Sequence, residues 1–147
     1  MKLRSAPSLR CFLGSQSAAA AVAPRREAWQ TRILAISDYE GLRRSREQVL
    51  RLEGFQVESV NSRTLIGIAW VRSFDMAIFC QSVEEARAVR LAELLRRHNS
   101  KIMLLRINPS HAGGEGGSLF DCEMEALAGP RGLLRAIEIM GQRMGRD

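Results

Sequence analysis

Hydrophobic positions in this chain fall into short unbroken runs and longer, spaced ones. The run Phe74-Asp75-Met76-Ala77-Ile78-Phe79-Cys80 carries no charge after Asp75. It has the length of a strand and is apolar on both faces, so it predicts a strand covered on both sides, as in a parallel sheet between helices. Arg32 to Ile36 and Ile102 to Ile107 repeat the pattern. In residues 55–60, Phe55 and Val57 alternate with Gln56 and Glu58, which predicts a strand with one wet face at a sheet edge. Leu119 to about Met124 is a weaker fifth strand.

The spaced runs predict helices. Glu40 to Glu53 places Leu42, Val49, Leu50 and Leu52 among charges, and Gly54 follows in the C′ position, where positive φ costs little. Asn61-Ser62 reads as the cap of a second helix over about 63–72, with Leu65, Ile66, Ala69 and Trp70 inward. Ser82 and Glu85 have capping-box spacing and open a third helix to about His98, rich in Val89, Leu91, Ala92, Leu94 and Leu95. Gly129-Pro130 opens a last helix with the stripe Leu133, Leu134, Ile137 and Met140. The order β-α-β-α-β-α-β-loop-β-α, with right-handed crossovers, yields a doubly wound parallel α/β sheet. The expected domain spans 31–141, and 142–147 is a fraying tail.

Four stretches together carry a resemblance. They are strand one ending at Ser37-Asp38, "LEGF" from first helix into second strand, "SFDMAIFC" as third strand, and "GPRGLLRAI" opening the last helix. The chain resembles a response-regulator receiver domain, the CheY-like member of the flavodoxin-like folds, over about residues 31–140. The resemblance implies five parallel strands in the order 2-1-3-4-5. Asn108 to Ser118, with four glycines, stands where the family has its fourth helix, so that helix is expected to be missing or much reduced.

The family phosphorylates an aspartate at the end of strand three, holds Mg²⁺ with two acids at the end of strand one, and uses a Ser or Thr ending strand four and a Lys after strand five. Carried onto this sequence, the acid pair reads Ser37-Asp38, the acceptor position is Cys80, and the Ser/Thr position is Arg106. Lys101 is the last lysine, so none follows strand five. Asp38 alone matches. Mg²⁺ requires hard oxygen ligands in near-octahedral array, and one carboxylate beside one guanidinium has no net pull on a cation. Asp75 begins its strand, roughly 16 Å from the far end at about 3.3 Å per residue. The expectation is a pseudo-receiver: a protein-interaction module independent of phosphorylation, not an enzyme, with no cofactor and no Mg²⁺. Ser37, Asp38, Cys80 and Arg106 would then be structural, with an Asp38–Arg106 salt bridge in place of the metal. Two alternatives stay open. One is a redox switch centred on Cys80 with Arg106 lowering its pKa. The other is a phosphorylatable receiver with an unusual acceptor.

Charge and composition change this picture little. The net charge is +6, but residues 1–30 hold Lys2, Arg4, Arg10, Arg25 and Arg26 against Glu27 alone, leaving 17 of the 22 basic groups and 15 of the 16 acidic ones for the rest. A nearly balanced body argues against a nucleic-acid face, and the arginines of the third helix read as solvated. No apolar run approaches the roughly 18 residues that cross a bilayer, so no membrane contact is expected. Cys11, Cys80 and Cys122, an odd number without a CxxC pair, read as reduced thiols in a cytoplasm. The resemblance implies protein partners in signalling. Gly113 to Gly117 lacks the Lys-Ser/Thr of a phosphate-binding P-loop and reads as a linker, and His98 and His111 are not spaced as metal ligands. Residues 1–30 show no sustained period and predict a disordered extension. The basic start and Ala21-Val22-Ala23 also trace a signal-peptide outline, interrupted by Gly14 to Ser17, and an overlong start of the reading frame is the third option.

Overall fold

The computed structural model describes residues 9–11, 31–64, 68–109 and 119–144, with backbone alone for 9–11 and 68–70. The strands are β1 (Leu9–Cys11), β2 (Arg32–Ile36), β3 (Gln56–Val60), β4 (Met76–Phe79), β5 (Met103–Asn108) and β6 (Cys122–Glu125), and the helices are α1 (Glu40–Leu52), α2 (Glu85–His98) and α3 (Gly129–Met144). They form one sheet in the order β1-β6-β5-β4-β2-β3. The pairings from β3 through β6 are all parallel, so these five strands have the doubly wound order expected, and β1 adds antiparallel to β6. Among the described residues no helix joins β5 to β6, so the fourth helix is reduced. Gly113 to Gly117 and His111 lie outside the described residues.

The unbroken apolar runs are central because both of their faces are covered. Ile33, Ala35, Ile78 and Leu105 pack with Leu50 of α1 and Leu133, Ile137 and Met140 of α3. Leu34, Ile36, Ala77, Phe79 and Leu104 pack on the opposite face with Ala88, Ala92 and Leu95 of α2. The α1 stop follows from its glycine. Gly54, at φ 96°, donates to Arg51 O, and Phe55 N–H donates to Leu50 O, the paired bonds of a Schellman close. Leu50 is buried and Phe55 packs against its cluster, whereas Leu52 is exposed.

Four expectations are corrected. The second helix is a 3₁₀ segment over Ile68–Ser73; Leu65 and Ile66, and the side chains of Ala69 and Trp70, lie outside the described residues. Ser62 does not serve as a helix cap: its N–H and hydroxyl both donate to the Asp38 carboxylate, each at 2.7 Å. The capping box of α2 does not form. Its N-cap is Glu84, without a side-chain bond, while Ser82 Oγ bonds Ser37 Oγ and accepts from Asp38 N–H. The last helix continues through 142–144, residues expected to fray.

The N-terminal segment is the fourth correction. Leu9–Cys11 is a strand, in register Leu9↔Met124, Arg10↔Glu123 and Cys11↔Cys122. Three residues are too few for a period to show, and the unpaired backbone groups of β6 supply the reason for order there.

Candidate functional site

Parallel strands place their C-terminal ends along one edge of a sheet, where open α/β folds put their chemistry. The ends of β2 and β4 and the body of β5 bring Ser37, Asp38, Cys80 and Arg106 to one corner. Ser37, Cys80 and Arg106 are buried and Asp38 is half-buried. Cys80 N–H donates to Ile36 O, continuing the β2–β4 ladder into the corner. Asp75 lies at the other end of β4, where Oδ2 accepts from Arg32 N–H at 2.9 Å.

Each polar group in the corner is spent on the protein. Ser37 Oγ donates to Tyr39 O at 3.1 Å, bonds Ser82 Oγ at 2.9 Å and accepts from Tyr39 N–H at 3.3 Å. Asp38 closes the loop after β3 through Ser62. Arg106 does not pair with it, which corrects the expected salt bridge. The guanidinium instead donates to Cys80 O at 3.3 Å and Val83 O at 3.0 Å, carbonyls of the turn that follows β4. Burial lowers the Arg106 pKa, against Glu85, Glu123 and Cys80, which raise it.

The corner suits Mg²⁺ poorly. Both carboxylate oxygens of Asp38 hold Ser62, the neighbouring position offers a soft sulfur, and two guanidinium groups act on it electrostatically. Among the described residues no three His, Cys, Asp or Glu side chains converge as a metal site.

Burial pushes the Cys80 thiol up, opposed in order by Arg46, the Ser37 hydroxyl and Arg106. A raised folded-state pKa leaves the thiol protonated where an unfolded thiol, with pKa about 8.5, ionises. The associated stability is present in full below that pKa and is lost as pH rises through the folded value. Iodoacetamide at pH 8.5 should therefore label Cys80 at least about tenfold more slowly in the native protein than in denaturant, since ionisation and access both fall. Peptide mapping over a time course checks this, and equal rates would show an exposed thiolate.

Sequence reasoning missed two features. Arg46 on α1 is one of several charges in the helix pattern, yet its guanidinium bonds Gln81 Oε1 at 2.8 Å and is the largest charge acting on Cys80. No local signal marks it, because its role depends on how α1 docks. The second feature is the acidic face of β6. Asp121, Glu123 and Glu125 alternate with Cys122 and Met124, a period of two that was legible. Glu123 and Glu125 are buried. Glu123 Oε1 accepts from Asn108 at 2.8 Å, and Asp121 Oδ2 accepts from Leu104 N–H and pairs with Arg96.

Solved structures with this fold include receiver domains. One from Methanospirillum hungatei, described as a CheY-like response regulator receiver domain, is 21% identical, has TM-score 0.64, and is matched over 79% of this chain and 96% of its own. The chemotaxis protein CheY4 of Vibrio cholerae is 17% identical with TM-score 0.63, over 75% of this chain and 98% of its own. A putative pilus assembly-related protein from Burkholderia pseudomallei is 14% identical with TM-score 0.60, over 78% of this chain and 91% of its own. No protein-family model and no curated protein matches the chain.

Proposed function

We propose that this chain is a pseudo-receiver of the two-component signalling family, acting as a protein-interaction module whose state does not depend on phosphorylation. One observation carries the reading. The corner that receivers use for phosphotransfer is assembled here from the same strand ends, but a buried thiol stands at the acceptor position and Arg106 caps the carbonyls around it. Ser37, Asp38, Cys80 and Arg106 then hold the loops at the sheet edge and perform no chemistry, so the protein is not an enzyme and needs no Mg²⁺.

Protein partners suit the surface beside that corner. Tyr39, which follows β2, and Leu127, which follows β6, are 63% and 81% exposed. Large apolar side chains in water near strand ends are contact material for a protein. No helix among the described residues is long and apolar enough to cross a membrane, and the proposal includes neither a membrane nor a nucleic acid. A cytoplasmic location belongs to it, as for a signalling module.

Intact mass spectrometry after incubation with acetyl phosphate and Mg²⁺ tests the proposal. The expected spectrum is that of the untreated protein. A gain of one phosphoryl group would overturn the reading, and mapping it would name the acceptor.

A further inference from the structure

The strand Leu9–Cys11 pairs with β6 from nearly the whole domain away in sequence. Cys122 on β6 is buried and disulfide-bonded. The chain has three cysteines, Cys80 is a free thiol, and Cys11 stands opposite Cys122 in the antiparallel register. This corrects the reading of all three cysteines as reduced. We propose that Cys11 closes the disulfide with Cys122, and that this bond is a redox latch holding β1 over the β6 edge.

A latch is needed because the strand is short. Three residues form few interstrand hydrogen bonds, and ordering their backbone opposes the pairing. A covalent bond at one end makes the pairing intramolecular at very short range, and its effect is greatest when the loop it closes is long, as here. Without the bond the pairing reverts to those few hydrogen bonds. The β6 edge then presents unpaired N–H and C=O groups, of the kind that accept an extended peptide.

Opening requires two electrons and two protons from a thiol reductant such as glutathione or dithiothreitol. One thiolate attacks the disulfide, the S–S bond breaks, and a mixed disulfide forms with one cysteine. A second thiol displaces it, leaving Cys11 and Cys122 as thiols and the reductant as its own disulfide. Cys122 is buried, so exchange requires β1 to fray first. In a reducing compartment a bond of this kind is a switch, and in an oxidising one it is a permanent staple. The inference concerns β1 and β6 and does not depend on the phosphotransfer corner.

The full chain, purified without reductant and alkylated in denaturant, is expected to take one label, at Cys80, and to yield a Cys11–Cys122 linked peptide. After dithiothreitol it should take three labels. Three labels without reductant, a link involving Cys80, or a linked dimer on a non-reducing gel would each overturn the pairing. Amide hydrogen exchange then tests the latch. Reduction should speed exchange in Cys122–Glu125 by about tenfold or more and leave Ile33–Ile36 unchanged, and Cys11→Ser should reproduce this without reductant. Unchanged β6 exchange in both cases would show that the bond does not hold the strand.

Discussion

Phe79→Ala is expected to lower the stability of the protein by about 3–5 kcal/mol, the usual range for truncating a large buried aromatic. Phe79 ends β4, is fully buried, and meets Phe120 edge-to-face with ring centroids 5.6 Å apart. It joins a cluster with Ile36, Ala77, Val83 and Leu104, so its removal opens a void at the joint between the sheet and the turn leading to α2. Partial collapse sets where in the range the value falls. Tyr39→Ala, at an exposed position, is the control and should change stability by no more than about 0.5 kcal/mol. Denaturant midpoints at constant slope read both. A loss below about 1 kcal/mol for Phe79→Ala would mean that this side of the sheet is not packed as described.

The second large effect is expected at Asp38. Its carboxylate accepts from both the N–H and the hydroxyl of Ser62, each at 2.7 Å, and Ser62 is buried. Hydrogen bonds to a charged group contribute about 1.5–3 kcal/mol, and two donors left unpaired add to the cost of losing them. Asp38→Ala should destabilise by about 2–4 kcal/mol and speed amide exchange through Asn61–Thr64. Asp38→Asn keeps one acceptor oxygen and should lose roughly half as much. The same variants probe the metal question, because a ligand that binds the native state raises its stability by mass action. Millimolar Mg²⁺ is expected to leave the melting temperature of the wild-type protein unchanged. A rise that Asp38→Ala abolishes would show Asp38 to be a metal ligand and not a loop clasp.

The strand runs and three of the helices were readable because each is a local pattern. A both-faces-apolar run such as Met76–Phe79 can only be central, and Gly54 ends α1 through its own backbone freedom. The same patterns place Ser37, Asp38, Cys80 and Arg106 at strand ends or within a strand of one corner, because parallel strands align their ends. Bonding between those residues was not readable. Asp38 and Arg106 looked complementary, yet a guanidinium beside two turn carbonyls and a carboxylate beside a serine hydroxyl and amide each found another partner. Ser82 had the spacing of a helix cap and became a link to Ser37 instead.

By itself, then, the sequence determined the layered α/β architecture and the residue types Ser37, Asp38, Cys80 and Arg106 at the sheet edge, since both depend on residue type and short-range period. Tertiary structure alone decided that Arg46 acts on Cys80, that Asp38 clasps the loop after β3, and that β1 lies along β6 with Cys11 opposite Cys122. Those are contacts between positions far apart in the chain. A three-residue strand or a single charged side chain carries no periodic signal, and its partner is fixed by which surfaces the packed core leaves within reach.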